Sequence, residues 1–151
     1  MFKSILVGTD GSETAARAVD LAARLAQAGD DTTLHIVSVG KSPSSAAIGL
    51  SQAAPGGTGM TQAAWSEDAI RDLGELLKHV ASTVGEGVAS VETYARVGDP
   101  AEVICELADQ VRADLIVVGN RGMQGGRRFL GSVPNNISHH APCSVLIAQT
   151  V

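Results

Sequence analysis

Residues 113–137 read ADLIVVGNRGMQGGRRFLGSVPNNI and contain the most informative pattern in the chain. An apolar run, 115–118, stops at Gly119, and the thirteen positions from Gly119 hold five glycines and three arginines before Ser132 opens a helical segment. A strand, a glycine loop and a helix start can bind phosphate, because main-chain N–H groups approach the ligand freely and the helix dipole favours an anion. A long turn that uses left-handed dihedral angles would also need these glycines. The pattern therefore predicts either an anion site or a structural loop.

Aliphatic side chains must form the interior, because aromatic residues make up only 3% of the 151 residues. Charged residues make up 18%, against about 25% in average soluble domains. Such a core is typical of a buried parallel sheet, and the length predicts a single domain over 1–151. The net charge is −5, and the longest basic run is Arg127-Arg128. This balance argues against nucleic acid or an anionic membrane as a partner.

The two cysteines, Cys105 and Cys143, show neither paired metal-ligand spacing nor the pattern of a disulfide-stapled secreted domain. No apolar run approaches the roughly 18 residues that a membrane-spanning helix needs. We therefore expect a cytoplasmic protein. His139 and His140 are adjacent and cannot share one helix face, so we expect no intrinsic metal site there.

Apolar periods and turn residues predict five strands that alternate with four helices. The strands are expected at 4–7, 33–39, 88–97, 115–118 and 143–148, and the helices between Ser12 and Gly29, over 65–84, between Asp99 and Val111 and over 132–140. Ser12 and Asp99 are the predicted N-caps of the first and third helices. The period-two pattern of 88–97, with one wetter face, favours an edge strand. Residues 40–62, which lack any period and are rich in Gly, Pro, Ser and Ala, predict a flexible loop.

Alternating strands and helices predict an α/β fold with one doubly wound, five-stranded parallel sheet and helices on both faces. Ligands bind such sheets at the carboxyl ends of the two strands where the winding reverses. The residues alone do not fix the strand order. If strands one and four meet at that reversal, Asp10 lies beside the glycine loop after Gly119. A carboxylate accepts hydrogen bonds from ribose hydroxyls and N–H groups bind phosphate, so this pairing suits a nucleotide.

Several segments across the whole chain resemble the universal stress protein family. They are VGTDGS at 7–12, GDP at 98–100, VVGNRG at 117–122, LGSV at 130–133 and HAPCSVLI at 140–147. The resemblance implies an adenine nucleotide alpha hydrolase-like fold with strand order 3-2-1-4-5. The ATP-binding branch of the family carries Gly-x2-Gly-x9-Gly-Ser/Thr, which Gly119, Gly122, Gly131 and Ser132 match with eight residues rather than nine before Gly131. Glycines at 125–126 can absorb the shorter loop, because glycine reaches dihedral angles that are closed to other residues.

The resemblance also implies a ligand and its contacts. ATP is the expected ligand, optionally with Mg²⁺ on its phosphates. Asp10 would contact the ribose or the adenine side, and the main chain near Val39 would contact adenine. The nucleotide-binding residues that the resemblance implies are Thr9, Asp10, Val39, Gly119, Arg121, Gly122, Gly131, Ser132 and Val133.

Several candidate residues have a structural alternative. Asp10 can order its turn, and Ser132 can be a simple N-cap. Arg121, Arg127 and Arg128 could neutralise phosphate charge, but Arg127 and Arg128 better suit a solvated loop face. The loop lacks a Lys, and strand one ends in a single acid, Asp10, so we expect binding with at most slow ATP hydrolysis.

The expected function is that of a nucleotide-dependent, dimeric regulatory protein of the stress response. Two alternatives stay open, a cyclic AMP binder and a nucleotide-free dimeric interaction protein of the same fold. A phosphoacceptor receiver domain fits poorly, because strand one ends in a single acid and strand five is followed by no Lys. The apolar last strand, 143–148, would leave an uncovered sheet edge, and the resemblance implies that it pairs with its copy in a homodimer.

Overall fold

The computed structural model describes residues 1–41, 62–120 and 131–149, with the side chains of 62–66 outside that description. Strands and helices alternate along these residues as β1 (Ser4–Gly8), α1 (Glu13–Gln27), β2 (Thr33–Gly40), α2 (Gln62–Thr83), β3 (Ser90–Val97), α3 (Pro100–Gln110), β4 (Leu115–Gly119), α4 (Ser132–His140) and β5 (Ser144–Ala148). The predicted order of elements is confirmed. Most of the predicted flexible loop lies outside the described residues. None of the helices described is long and apolar enough to cross a membrane.

The sheet has the order β3-β2-β1-β4-β5, and all four neighbouring pairs are parallel. The predicted doubly wound α/β fold and its strand order are therefore confirmed, and β3 lies at an edge as its pattern indicated. Helices α1 and α2 cover one face, where Val19 of α1 and Leu77 of α2 are buried together with β1 and β2 side chains. Helices α3 and α4 cover the other face, where Leu107 and Ile137 are buried.

The central strand shows why the sequence folds this way. Ile5, Leu6 and Val7 have no solvent exposure, because alternate side chains of β1 enter the two opposite cores. A strand that is buried on both faces reads as a continuous apolar run rather than an alternating one. The run SILVG of β1 and LIVVG of β4 therefore mark the centre of the sheet.

Side-chain caps begin two of the helices as predicted. The Ser12 hydroxyl accepts a hydrogen bond from the Ala15 amide at 3.2 Å and starts α1. The Asp99 carboxylate accepts from the Glu102 amide at 3.0 Å and starts α3, where Pro100 occupies the first turn. Both caps fix the point at which the chain leaves the carboxyl edge of the sheet and returns along its surface.

Candidate functional site

The winding of the sheet reverses between β1 and β4. From β1 the chain builds outward through β2 to β3, and from β4 it builds the other way to β5. Val7 pairs with Val117, so the segments that follow β1 and β4 leave the sheet side by side at the same edge. A Cβ on Gly8 would stand 3.9 Å from the Val118 side chain and 3.1 Å from that of Ile104. Open α/β sheets bind their ligands at the carboxyl ends of the two strands where the winding reverses, which here are β1 and β4.

The turn after β1 carries two of the predicted site residues. Thr9 is buried; its amide donates to the Val37 carbonyl at 2.9 Å, and its hydroxyl accepts from the Gly11 amide at 3.2 Å. Asp10 is exposed, and its Oδ1 accepts from the Ser12 amide at 2.9 Å. The structural role of Asp10 in ordering the turn is therefore present. A carboxylate has about four acceptor sites, so this bond leaves capacity for a ligand.

The end of β2 forms the next wall of the edge. Val39 is half-buried and packs against the α3 and α4 core, and Gly40 is the last residue of the strand. The Gly40 carbonyl accepts from the Gly98 amide at 2.9 Å, which ties the end of β2 to the turn that precedes Asp99. The predicted adenine contact, the main chain near Val39, thus lies at the same edge as the turn after β1.

Main-chain hydrogen bonds hold the residues at the two ends of the glycine loop. The Asn120 amide donates to the Ala148 carbonyl at 2.9 Å, and the Gly131 amide donates to the Asn120 carbonyl at 3.2 Å. The loop between them, with the predicted site residues Arg121 and Gly122, lies outside the described residues. One of these bonds therefore ties Asn120, the residue after β4, to β5, and the other ties the start of α4 to Asn120.

The start of α4 differs from the expectation that Ser132 is a simple N-cap. Gly131, not Ser132, occupies the N-cap, and no side chain caps the helix. Ser132 and Val133 are the first two helical residues, and Pro134, the third, has no N–H group. An α-helix offers no intrahelical acceptor to its first N–H groups, so those of Ser132 and Val133 point out of the helix start. Main-chain N–H groups at a helix start form an anion-binding position.

The universal stress protein family model matches residues 1–149. The chain belongs to the universal stress protein family. The universal stress protein Rv1636 of Mycobacterium tuberculosis (strain ATCC 25618 / H37Rv) is 36% identical over 151 residues, covering 99% of this chain and 97% of that protein. A universal stress protein crystallised in complex with cAMP is 31% identical with a TM-score of 0.62, covering 99% and 98% of the two chains. The protein MJ0577 superposes with a TM-score of 0.79 at 21% identity over 99% and 96%, which supports the fold alone.

This universal stress protein also contains a polar network that the sequence analysis did not find. His35 of β2 is 6% exposed, and its Nδ1 lies 3.0 Å from the hydroxyl of Tyr94 on β3. That hydroxyl donates to Glu92 Oε2 at 2.6 Å. Because the phenol gives its single hydrogen to Glu92, the His35 Nδ1 carries a proton and donates to the phenol oxygen. A histidine between the apolar residues Leu34 and Ile36 of this strand was the available signal.

Burial determines the ionisation of this network. Desolvation lowers the pKa of His35, and the nearby Glu92 carboxylate partly offsets that by raising it. Burial and the hydrogen bond to Glu92 raise the pKa of Tyr94 to about 12, so the phenol stays protonated at neutral pH. The Arg96 guanidinium lies over the Tyr94 ring at 5.4 Å. The network is on β2 and β3, away from the turn after β1, and is not part of the candidate site.

Both thiols of the universal stress protein are free and half-buried. Burial raises the pKa of Cys105 and of Cys143, which favours the protonated thiol over the reactive thiolate. Within the described parts of the chain, no three His, Cys, Asp or Glu side chains are grouped so that they could hold a metal ion.

Proposed function

We propose that this universal stress protein binds an adenine nucleotide, with ATP as the first candidate, at the carboxyl edge between β1 and β4. The observation that carries the proposal is the pairing of β1 with β4 at the strand-order reversal, which sets the turn that carries Asp10 beside the end of β4. The start of α4 is bonded to the residue after β4, because the Gly131 amide donates to the Asn120 carbonyl. A nucleotide has ribose hydroxyls that donate hydrogen bonds and phosphates that accept them. An exposed carboxylate suits the hydroxyls, and main-chain N–H groups suit the phosphates.

In this proposal the described site residues have separate roles. Asp10 accepts from the ribose hydroxyls, and the N–H groups of Ser132 and Val133 donate to phosphate oxygens. Arg121 and Gly122, which lie outside the described residues, are expected to contact phosphate as well. Mg²⁺, where it accompanies ATP, would be held mainly by the phosphates.

Cyclic AMP is the second candidate, because a universal stress protein 31% identical to this chain was crystallised with it. The two ligands differ at the ribose. The cyclic phosphate of cAMP occupies the 3′ oxygen and leaves only the 2′ hydroxyl as a donor, whereas ATP and AMP offer both hydroxyls. If Asp10 accepts from both hydroxyls, it should stabilise ATP and AMP more than cAMP.

Isothermal titration of the purified protein with ATP, AMP and cAMP, with and without Mg²⁺, tests the proposal. Asp10→Asn keeps an oxygen acceptor for the Ser12 amide but removes the charge. Because hydrogen bonds to charged groups contribute about 1.5–3 kcal/mol, ATP affinity should fall roughly 10- to 100-fold. Asp109→Asn is the matched control, since Asp109 is an exposed aspartate near the end of α3, remote from the carboxyl edge.

Two results would contradict the proposal. Absence of binding by the wild-type protein at millimolar nucleotide would favour the nucleotide-free interaction protein. Equal ATP affinity in Asp10→Asn and the wild type would leave Asp10 with only its role in the turn. Gly122→Val tests the phosphate end separately. It should lower the affinity for ATP more than the affinity for cAMP, because cAMP has a single phosphate.

We further propose that the protein acts as a homodimer, in which nucleotide binding regulates a stress response. Strand β5 lies at the edge of the described sheet, and Val145, Leu146 and Ile147 are only half-buried. Pairing of β5 with its copy would cover this edge. Light scattering at micromolar concentration should give twice the mass of the chain, and the outward amides of β5 should resist hydrogen exchange. A monomeric mass would overturn the dimer.

A further inference from the structure

Helix α2 touches two of the segments that form the candidate site. The Leu76 Cδ1 methyl lies 2.6 Å from the point where a Cβ on Gly11 would stand. The Leu73 Cδ1 methyl lies 3.3 Å from the corresponding point on Gly40. Residues three apart on a helix share a face, so one side of α2 packs against both the turn after β1 and the end of β2.

The neighbouring Leu77 has a different position. It is 2% exposed and belongs to the buried core between the sheet and α1. Leu73 and Leu76 are only half-buried. Leu77 therefore fixes α2 on the sheet, whereas Leu73 and Leu76 reach along its surface toward the carboxyl edge.

The turn against Leu76 has little freedom. Gly11 has φ +78°, which an L side chain rarely adopts, and a Cβ there would overlap the Leu76 methyl. The Asp10 carboxylate lies one residue earlier and is tied to the Ser12 amide within the same turn. A displacement of Leu76 would consequently change the place or the order of the Asp10 side chain.

We propose that Leu76, together with Leu73, is a positioning residue that sets where the Asp10 carboxylate and the main chain near Val39 lie, so that the position of α2 and the affinity for the ligand are coupled. The affinity part of this inference rests on the proposed nucleotide function. The geometric part does not, because it concerns contacts of Gly11 and Gly40 in the protein itself. Leu76 contacts the turn and need not contact the ligand.

Leu76→Ala and Leu77→Ala provide a matched comparison on adjacent residues of one helix. Substitutions at positions that couple through packing change affinity by roughly 2- to 30-fold. ATP affinity should fall in that range in Leu76→Ala, with a small decrease of the urea midpoint. Leu77→Ala should lower the urea midpoint more and leave the affinity of the folded protein unchanged. Leu76→Met, which conserves volume, should restore the wild-type affinity.

A double substitution tests the contact directly. Gly11→Ala should weaken ATP binding through both its overlap with Leu76 and its backbone strain. In the Leu76→Ala background the overlap is absent, so the combined loss should be smaller than the product of the two separate losses. A combined loss equal to that product would show that Gly11 and Leu76 act independently, and it would overturn the inference.

Hydrogen exchange measured by NMR gives a readout that needs no nucleotide. The Gly11 and Ser12 amides donate within the turn, so they should exchange faster in Leu76→Ala than in the wild type and in Leu77→Ala. Equal exchange in wild type and Leu76→Ala, or equal loss of affinity in the Ala variants of 76 and 77, would overturn the positioning role. If the wild type binds no nucleotide, the proposed function fails, and exchange alone decides the positioning role.

Discussion

Replacing Tyr94 by Phe should destabilise the protein through His35 rather than through Tyr94 itself. Phe keeps the aromatic ring, including its tilted contact with the His35 ring at 5.7 Å, and removes only the hydroxyl. That hydroxyl has two partners with different exposure. The Glu92 side chain is 56% exposed, so water can replace the lost donor. The His35 side chain is 8% exposed and loses its hydrogen-bond partner, because Glu92 Oε2 lies 3.7 Å from His35 Nδ1, beyond hydrogen-bond distance.

The difference in exposure between His35 and Glu92 sets the expected loss of stability in Tyr94→Phe. A buried polar group left without a partner costs about 1–3 kcal/mol, and re-solvation of the exposed Glu92 adds little. We therefore expect Tyr94→Phe to lower the free energy of unfolding by about 2 kcal/mol. For a chain of this length, that corresponds to a decrease of roughly 4 to 8 °C in Tm.

Urea unfolding followed by circular dichroism at pH 8, where His35 is neutral in both states, measures this quantity. The decisive control is the same substitution in a His35→Phe background. Removing both partners of a hydrogen bond can be nearly neutral, so Tyr94→Phe should then cost much less. The reasoning is refuted if Tyr94→Phe alone stays within about 0.5 kcal/mol of the wild type, or if its cost is the same in both backgrounds.

Three further predictions concern pH, a helix cap and the core. Because burial lowers the pKa of His35, the unfolded chain takes up this proton at a higher pH than the folded protein. The contribution of His35 to the free energy of unfolding should therefore decrease as the pH falls from 7 through 6.5 toward the folded-state pKa, and then level off. The urea midpoints of the wild type and His35→Phe should converge or cross between pH 7.5 and 5. A constant difference between these midpoints would contradict the prediction. Asp99→Ala removes the acceptor for the Glu102 amide and should lower the free energy of unfolding, measured in urea, by about 1 kcal/mol. Asp99→Asn keeps an acceptor and should lower it less. Equal decreases in the two variants would show that the cap hydrogen bond is unimportant. Leu107 is 3% exposed, and Leu107→Ala should lower the free energy of unfolding by about 2–5 kcal/mol. Ile70 is 45% exposed, and Ile70→Ala should lower it by about 1 kcal/mol or less. Similar decreases at the two sites would contradict the assigned cores.

The sequence predicted the elements well where local chemistry determines them. The apolar run of β1 and the caps Ser12 and Asp99 act through neighbouring residues, and the structure shows each of them. The two larger differences occur where local signals are weak. Helix α2 begins at Gln62 rather than 65, because Gln and Ala, the residue types at 62–64, have high intrinsic helix propensity. Strand β3 begins at Ser90 rather than Val88, although Val88 still packs against the core.

The strand order could not be derived from the residues alone. Right-handed crossovers fix the sense of each β-α-β unit but not which strands become neighbours after the chain reverses. The pairing of Val7 with Val117 joins positions more than a hundred residues apart, and both strands present similar apolar runs. Only the resemblance to the universal stress protein family supplied the order that the structure shows.

The candidate site could be predicted only in part from the sequence, for a physical reason. The phosphate end of the proposed site depends on main-chain N–H groups, and the sequence can mark these only by glycines that permit the necessary backbone dihedral angles. The choice of Gly131 rather than Ser132 as N-cap is therefore a property of backbone dihedral angles, which a Gly-Ser pair leaves open. The same limit applies to Leu76 and Leu77, which are equivalent in a helical apolar pattern. Only the proximity of Gly11 to Leu76 separates a residue that positions the site from one that stabilises the core, and this difference makes their Ala variants informative as a pair.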